Sequence, residues 1–247
     1  MKYNRVIIKL SGEALCGERK GERGGVSLDK VENIVDEVER LKDKNVKVGI
    51  VVGGGNFWRG RETTYCVDKD LHLSRATSDI IGMLATIMNG LVLRECFVKR
   101  KMRAEIFSKL SIEGILTNFD PTSVNEYINS GGIAIFVGGT GNPFVTTDTA
   151  AAIWAAEIEA DVLLKATKVE GVYTTDPNLP NRRNKLVKLK KITFSEAIRR
   201  NLGVMDLPAL CICRENKIPV VVFNFFKRGN LLRVVEKGDI GTYIYES

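Results

Sequence analysis

The chain has 247 residues, of which 44% are hydrophobic and 27% are charged, and these proportions are typical of a soluble globular protein. They exclude an intrinsically disordered chain and a collagen-like repeat, and the length predicts one compact α/β domain over residues 1–247. The 37 basic and 30 acidic side chains give a net charge of +7, which favours anionic partners without distinguishing among them.

The first 52 residues predict a strand, a helix and a second strand. Arg5–Leu10 is rich in Val and Ile and ends at a Ser-Gly turn, as a buried strand does. Ser27 can cap a helix whose apolar residues recur at helical spacing from Val31 to Leu41. Val46–Val52 is an almost uninterrupted apolar strand, which is typical of a parallel sheet covered on both faces.

The middle of the chain predicts one long helix and several short strands. Ile, Leu and Met recur at helical spacing over Asp79–Phe97, which predicts a long buried helix with its methionines in the core. Strands are predicted at Glu105–Phe107, Gly114–Thr117 and Ile133–Val137. Asp120 followed by Pro121 is typical of the start of a helix.

The C-terminal part continues the alternation of helices and strands. A helix is predicted at Thr147–Ala160, a strand at Asp161–Ala166, and a short helix from the capping box that begins at Thr193. Ile218–Phe223 and Thr242–Tyr245 are the last predicted strands. The fold class is therefore α/β, with a mainly parallel central sheet sandwiched between helices and with ligands expected at the carboxyl ends of the strands.

Neither a membrane span nor a signal peptide is predicted. The apolar runs are far shorter than the roughly 18–20 residues that cross a bilayer. Lys9 interrupts the first apolar stretch too early for a signal-peptide core. Five cysteines without a Cys-x-x-Cys spacing and a single histidine, His72, give no basis for a metal site or a disulfide framework. We therefore expect a cytoplasmic protein.

Three predicted strand ends carry glycine-rich turns that suit phosphate groups. They are Lys9–Gly12, Gly53–Asn56 with Arg59 nearby, and Gly138–Asn142. Glycines allow successive backbone N–H groups to point at one anion, and a nearby helix start adds positive potential. Any one cluster alone is compatible with a plain tight turn, but three together indicate a site for several phosphates. The P-loop, dinucleotide-binding and protein-kinase motifs are all absent.

Several segments resemble bacterial uridylate kinases of the amino-acid kinase superfamily, and the resemblance extends over nearly the whole chain. The segments are Lys9–Ala14, Gly53–Asn56, Gly82–Thr86, Thr140–Asp148, Lys165–Tyr173 and Val204–Asp206. The first segment and the glycine turns are shared loosely with acetylglutamate, carbamate and aspartate kinases, whereas Thr140–Asp148 and Val204–Asp206 are similar to the uridylate branch.

The resemblance implies an amino-acid-kinase-like α/β/α fold and a definite activity. The implied reaction transfers the γ-phosphate of ATP to UMP, giving UDP in pyrimidine nucleotide biosynthesis. An acceptor-binding part would span about residues 1–160 and an ATP-binding part about residues 161–247. Mg²⁺ would enter with ATP, with no dedicated metal site on the protein. The family also implies a homohexamer built as a trimer of dimers, with the helix from Asp79 as a candidate dimer face.

The resemblance also assigns catalytic and ATP-binding residues. Lys9 and Lys165, each at a strand end, would neutralise the phosphates and the transferring group, while Asp148 would orient both lysines and help place Mg²⁺ through water. For Lys165 the alternative is an ordinary surface lysine, and for Tyr173 it is a core aromatic residue. The implied ATP-binding residues are Lys9, Leu10, Ser11, Gly12, Gly55, Arg59, Thr167, Tyr173 and Asp176.

On the acceptor side, an arginine and a carboxylate are the main candidates. Arg59 can hold the UMP phosphate with two parallel hydrogen bonds, which a lysine cannot. Asp79 matches the family's acceptor for ribose hydroxyls, although it could instead be a helix N-cap. The implied UMP-binding residues are Gly54, Arg59, Asp79, Thr140, Gly141, Asn142, Pro143, Phe144, Val145, Thr146 and Thr147.

Two other functions remain open at this point. One is a phosphotransferase of the same superfamily that acts on a carboxylate or a carbamate. The other is a nucleic-acid-binding regulator, suggested by the net charge and by the basic runs Lys99–Lys101, Arg182-Arg183 and Lys188–Lys191. These runs lack interleaved aromatic residues and a recognition-helix motif, which favours solvated surface and makes a nucleic-acid partner the weaker hypothesis.

Overall fold

The alternation of short apolar runs with amphipathic segments produces a layered structure. The computed structural model describes residues 1–19, 22–58, 73–174 and 187–246. Its strands are β1 (Arg5–Leu10), β2 (Gly17–Arg19), β3 (Glu22–Gly24), β4 (Lys47–Val52), β5 (Ala104–Ser108), β6 (Thr117–Asn118), β7 (Ile133–Val137), β8 (Val162–Thr167), β9 (Lys191–Thr193), β10 (Val220–Asn224) and β11 (Thr242–Tyr245). Its helices are α1 (Leu28–Lys42), α2 (Arg75–Lys99), α3 (Pro121–Asn129), α4 (Thr147–Glu157), α5 (Phe194–Arg199), α6 (Leu207–Glu215) and α7 (Asn230–Glu236).

Nine of the described strands form one mainly parallel sheet, in the order β6-β5-β7-β4-β1-β8-β10-β11-β9. The strands from β6 to β10 in this order are parallel to one another. At the far edge β11 runs antiparallel to β10, and β9 lies parallel to β11. The strands β2 and β3 form a separate antiparallel hairpin. This architecture confirms the predicted α/β class and places β1 in the middle of the sheet.

Alternate residues along each strand supply two cores, one on each face of the sheet. On one face Ile8 and Ile50 pack under α1, α2 and α7. On the other face Ile7 and Phe136 pack under α3, α4, α5 and α6. Trp154 of α4 is 1% exposed and stacks on Phe136, with ring centroids 4.5 Å apart. Because both faces are covered, the strand ends are the natural place for ligands.

The helix α2 is buried on one side only, so the prediction of a long buried helix was wrong in part. Met83, Ile87 and Leu93 are buried, whereas Leu84 and Met88 are 45% and 49% exposed. The helix is long and apolar enough to cross a membrane by length and composition, but half of its most apolar window is buried inside the protein. It packs against β4, β5 and β7 as a core helix.

Most predicted elements are present within four residues of their observed bounds, with one exception. The predicted strand at Gly114–Thr117 is a turn followed by the two-residue strand β6. Gly114 has a φ of +75°, a left-handed conformation that ends an extended run. The hairpin β2–β3, the strand β9 and the helices α6 and α7 were not predicted, because their short segments carry little periodic signal.

Replacing Gly90 with alanine is expected to destabilise the protein although alanine favours helices. A Cβ atom at Gly90 would lie 2.4 Å from Cγ1 of Val137, because α2 crosses β7 closely at this point. The overlap is expected to cost about 1–3 kcal/mol of unfolding free energy, measured by urea denaturation. Gly82 in the same helix is the control, because its Cβ would meet only Trp58 at 3.8 Å. If G90A were as stable as G82A, the close approach would be wrong.

Candidate functional site

Two lysines lie side by side at the carboxyl ends of the central strands. β1 pairs with β8 in a register that places Lys9 directly opposite Lys165. Both side chains are on the sheet face that packs against α4, the face that also carries Ile7 and Leu163. Their side chains are only 12% and 16% exposed. Two partly desolvated ammonium groups at neighbouring strand ends require a negative partner.

That partner is Asp148, in the first turn of α4. Its Oδ1 lies 2.8 Å from Nζ of Lys9, and its Oδ2 accepts a hydrogen bond of 2.7 Å from Nζ of Lys165. The hydroxyl of Thr146 caps α4 by accepting the N–H groups of Asp148 and Thr149 at 3.1 and 3.3 Å. The structure therefore brings the three residues assigned as catalytic together into one ion-paired cluster.

The electrostatics of the cluster keep Asp148 charged. Burial alone would raise the pKa of this carboxyl, but the adjacent Lys9 and Lys165 outweigh that effect and hold the pKa below its usual value. Burial lowers the pKa of Lys165, the charge of Asp148 partly restores it, and the charge of Lys9 lowers it further. The cluster is therefore a carboxylate shared by two ammonium groups, and the lowered pKa of Lys165 makes it easier to deprotonate than an ordinary lysine.

A second carboxylate, Asp206, joins the starts of α4 and α6. It caps α6 by accepting the N–H of Ala209 at 3.1 Å, and it accepts a hydrogen bond of 2.9 Å from the hydroxyl of Thr149 and another from that of Thr146. The preceding turn supplies the carbonyl of Val204, which accepts from Nζ of Lys165. From the sequence, Val204–Asp206 indicated only the branch of the family, and no function was predicted for Asp206. The sequence Asp206-Leu207-Pro208 is nevertheless typical of a helix start, with Asp206 as the N-cap.

The turns that follow β1 and β4 lie against each other beside this cluster. A Cβ atom at Gly12 would lie 2.4 Å from the backbone nitrogen of Gly55, and the N–H of Gly53 donates to the carbonyl of Leu10 at 2.9 Å. The side chain of Leu10 is fully buried in the core, so only its backbone faces the strand end. Ser11 starts the short 3-10 turn at Gly12–Ala14. Four of the residues assigned to ATP thus form a compact loop-to-loop contact.

The third turn, after β7, leads into the segment assigned to UMP. Gly138, Gly139 and Gly141 have φ values of +73°, +57° and +80°, which explains the glycines in this turn. The hydroxyl of Thr140 accepts the N–H of Asn142 at 3.3 Å. Pro143, Val145 and Thr147 follow on the surface or half-buried, and Thr146 caps α4. The segment therefore connects the end of β7 to the Asp148 cluster.

Asp79 contacts this segment from α2. Its Oδ2 accepts the N–H of Phe144 at 2.8 Å, and Phe144 has a φ of +70° and a 58% exposed side chain. The guanidinium of Arg75 lies 5.1 Å from the centre of the Phe144 ring. The alternative of Asp79 as a helix N-cap is wrong, because Ser74 caps α2 by accepting the N–H of Thr77.

Gly54, in the turn after β4, also packs closely against α2. A Cβ atom at Gly54 would lie 2.6 Å from the carbonyl oxygen of Gly82.

The residues assigned to the nucleoside end of ATP are described only in part. The hydroxyl of Thr167, at the end of β8, lies 3.0 Å from the carbonyl of Phe223 and 2.9 Å from that of Val169. Tyr173 is partly buried and belongs to neither core cluster, which counts against its alternative as a core aromatic. Arg59, Asp176 and His72 lie outside the described residues.

The arrangement suits a pair of phosphate-bearing ligands better than a metal centre or a nucleic acid. Ammonium groups, glycine turns and the N-terminus of α4 converge at one sheet edge, where they can neutralise anions. Across residues 1–19, 22–58, 73–174 and 187–246, no three His, Cys, Asp or Glu side chains are close enough to hold a metal ion. Arg100, in the first basic run, is ion-paired with Glu32, Asp36 and Glu39. Arg182-Arg183 lies outside the described residues.

Comparison with known proteins agrees with this geometry. The model of the amino acid kinase family matches residues 4–224. A uridylate kinase from Pseudomonas paraeruginosa is 43% identical over 246 residues, which cover 99% of this chain and 96% of that protein. A uridylate kinase from Acinetobacter baylyi is 41% identical over 243 residues, covering 98% and 96%.

Solved structures show the same likeness. The crystal structure of UMP kinase from Bacillus anthracis aligns with a TM-score of 0.90 and 31% identity, covering 100% of this chain and 98% of that one. The crystal structure of UMP kinase from Ureaplasma parvum aligns with a TM-score of 0.87 and 34% identity, covering 100% of both chains. The family match over most of the chain and these full-length relatives lead to one conclusion: the chain belongs to the amino acid kinase family.

Proposed function

We propose that this protein is a nucleoside monophosphate kinase that transfers the γ-phosphate of ATP to UMP, giving ADP and UDP. The observation that carries the proposal is the Asp148 carboxylate held between Lys9 and Lys165, at the sheet edge where the parallel strands β1, β4 and β7 end in glycine turns. The full-length relatives support it, because they are named uridylate kinases and UMP kinases.

The chemistry of this transfer matches the groups present. Both substrates are polyanions, so the main tasks are to bring their charges together and to stabilise the transferring phosphoryl group in line. Lys9 and the turn after β1 hold the phosphates of ATP, and Lys165 meets the charge that develops on the transferring group. The acceptor is a phosphate oxygen that is already ionised near neutral pH. No general base is therefore needed, and Asp148 acts by orienting the two lysines.

The proposed division of the chain follows the order of these residues. The acceptor side takes Gly54, Arg59, Asp79 and the Thr140–Thr147 segment, all within about residues 1–160. The donor side takes Thr167, Tyr173 and Asp176, within about residues 161–247, together with the Lys9–Gly12 loop of the first strand. The carboxylate of Asp79 keeps acceptor capacity for ribose hydroxyls beside the N–H of Phe144 that its Oδ2 accepts.

Mg²⁺ enters the proposal as part of the Mg-ATP substrate. Both oxygens of Asp148 are already engaged by lysines, at 2.8 and 2.7 Å, so direct coordination by this carboxylate would compete with the two ion pairs. Contact through a water molecule leaves both ion pairs intact. The ion would supply charge neutralisation to the phosphates of ATP.

The acceptor selectivity tests this function against the related alternative. ADP release from Mg-ATP is measured with UMP, CMP, dUMP, AMP, GMP, N-acetylglutamate, aspartate and carbamate as separate acceptors. We expect turnover with UMP far above that with any carboxylate or carbamate. If UMP were inert and a carboxylate or carbamate reacted, Arg59, Asp79 and the Thr140–Thr147 segment would have to be reassigned.

The pH dependence of kcat/KM tests the state of Lys165. A lysine with a lowered pKa loses its proton at a lower pH, so the ammonium charge disappears as the pH rises through that lowered value. We expect the alkaline limb of kcat/KM, which reports the free enzyme, to lie below the usual lysine value of about 10.4. In K165R the guanidinium stays charged, so this limb should be absent from the residual activity. An identical limb in K165R would assign it to another group.

The exposed apolar face of α2 supports the proposed self-association of the chain. Ile80, Leu84, Met88 and Leu91 recur at helical spacing and are 41–49% exposed. A contiguous apolar face of this kind is typical of an interface, and we propose that it pairs two copies within a homohexamer of three dimers.

L84D is expected to reduce the particle mass measured by light scattering, because a carboxylate would have to be buried in that interface. L28D is the matched control, since Leu28 is 67% exposed and belongs to a different helix, α1. A wild-type chain with the mass of a monomer would contradict the proposed assembly.

The proposed location and pathway follow from the same relatives. We propose a cytoplasmic enzyme of pyrimidine nucleotide biosynthesis, which fits soluble nucleotide substrates and a set of cysteines that is free within the described residues.

A further inference from the structure

Two buried asparagines form a reciprocal amide pair behind the acceptor-side turn. Asn89 of α2 is fully buried and Asn56 is 7% exposed. Nδ2 of Asn56 donates to Oδ1 of Asn89 at 2.9 Å, and Nδ2 of Asn89 donates to Oδ1 of Asn56 at 2.7 Å. Each amide uses its second N–H on a backbone carbonyl, Gly25 at 2.9 Å and Gly53 at 2.7 Å respectively. All four side-chain donors of the pair are therefore satisfied without water.

The pair lies where three loops meet. A Cβ atom at Gly12 would be 2.6 Å from Oδ1 of Asn56, so the donor-side loop after β1 packs directly on this amide. The backbone of Asn56 belongs to the turn after β4, and its carbonyl accepts the N–H of Gly25 at 3.2 Å. Gly25 follows the β2–β3 hairpin. The side chain of Asn89 in α2 thus holds Asn56, the residue that contacts or belongs to each of the three loops.

A buried polar pair of this kind is costly unless it is fully bonded, so it specifies one arrangement of its surroundings. Nearby, Thr86 of α2 holds the turn after β7 in a similar way, because its hydroxyl accepts the N–H of Gly138 at 2.7 Å. An apolar side chain at position 89 would fill the same space without holding the carbonyl of Gly53. The polar side chain of Asn89 therefore indicates that the position of the turn after β4 must be fixed, which packing alone would not achieve.

We propose that Asn56 and Asn89 form an amide clamp that sets the separation between the donor-side loop after β1 and the acceptor-side turn after β4. Asn89 is then a positioning residue for phosphoryl transfer, because its fully buried side chain acts through Asn56 and the carbonyl of Gly53. The inference rests on the proposed function, because the two turns are taken to hold the phosphates of ATP and UMP. A shift of about 1 Å between reacting groups is enough to slow a reaction by roughly a hundredfold.

The test compares N89A and N89S with C96A in the full chain. Cys96 is also buried in α2, at 6% exposure, but it packs in the core without bonding to a turn. In N89A we expect kcat to fall about tenfold or more, with the KM for ATP changed much less. N89S keeps one hydroxyl and should retain more activity, and it carries the test if N89A does not fold. C96A should keep the kinetic constants of the wild type.

Two further readouts separate positioning from plain loss of stability. The double variant N56A/N89A should lose no more kcat than the worse of N56A and N89A, because both side chains act through one pair. Hydrogen exchange at the amides of Gly25 and of Gly53–Asn56 should accelerate in N89A and stay unchanged in C96A. This measurement needs no substrate and so does not depend on the proposed function. Unchanged exchange, or a folded N89A or N89S with wild-type kcat, would overturn the clamp. A wild-type chain inactive on UMP would instead contradict the proposed function.

Discussion

K165A is expected to lower kcat about a hundredfold to a thousandfold and to leave the KM for UMP close to the wild-type value. Lys165 lies near the carboxyl end of the central strand β8, is only 16% exposed, and is fixed by Asp148 and by the carbonyl of Val204. A cation held in this way can interact more strongly with the transferring phosphoryl group than with the ground state. Removing one such donor costs about 2–4 kcal/mol of transition-state stabilisation.

The control for K165A is a lysine on β4, which is separated from β8 by β1 in the sheet order. Lys47 begins β4 and lies at its amino end, so K47A removes the same charge far from the proposed phosphates. Steady-state kinetics with UMP and Mg-ATP should give wild-type constants for K47A. A K165A variant with unchanged kcat would remove Lys165 from the catalytic residues.

D148N is expected to reduce both turnover and stability while preserving the size of the side chain. An amide cannot neutralise Lys9 and Lys165, which are held at 2.8 and 2.7 Å from the carboxylate oxygens. Leaving two partly buried ammonium groups without their shared partner is expected to cost on the order of 3 kcal/mol of unfolding free energy. We expect kcat to fall about a hundredfold, because both lysines lose their orientation.

The pH dependence of stability distinguishes this ion-pair effect from a packing effect. The native pKa of Asp148 is lowered, so the carboxylate contributes stability in full above its unfolded pKa, near 3.9, and loses it as the pH falls through the native value. Urea denaturation of wild type and D148N should therefore show a difference at pH 7 that shrinks on acidification. A difference that stays the same down to low pH would indicate packing rather than charge.

Much of the site's geometry could be predicted from the sequence, because strand ends in a parallel sheet meet at one edge. Arg5–Leu10 and Asp161–Ala166, which carry Lys9 and Lys165 next to their last residues, were predicted as strands of one sheet, and β1 and β8 are neighbours in register. The start of α4 was predicted at Thr147, which brings Asp148 to the same edge. In these cases a local pattern was sufficient, since the sheet itself supplies the tertiary relationship.

The features that were missed depend on contacts between distant parts of the chain. Thr149 and Asp206 are 57 positions apart, and Asn56 and Asn89 are 33 apart, so no local period indicates either pair. Asp79 is not the cap of α2, because the helix begins four residues earlier, after Ser74. The spacing of apolar residues in α2 also could not show that one side faces the sheet and the other is exposed, since both sides carry similar residues.

The most direct test of the central claim is to follow the labelled γ-phosphate of ATP in the presence of Mg²⁺ and UMP, and to separate the products by chromatography. The proposed function predicts that the label appears in UDP, in a one-to-one ratio with ADP, and that K165A forms this product at least about a hundredfold more slowly. ATP consumed without label entering UDP, or label entering inorganic phosphate alone, would contradict the assignment of this site to phosphoryl transfer onto UMP.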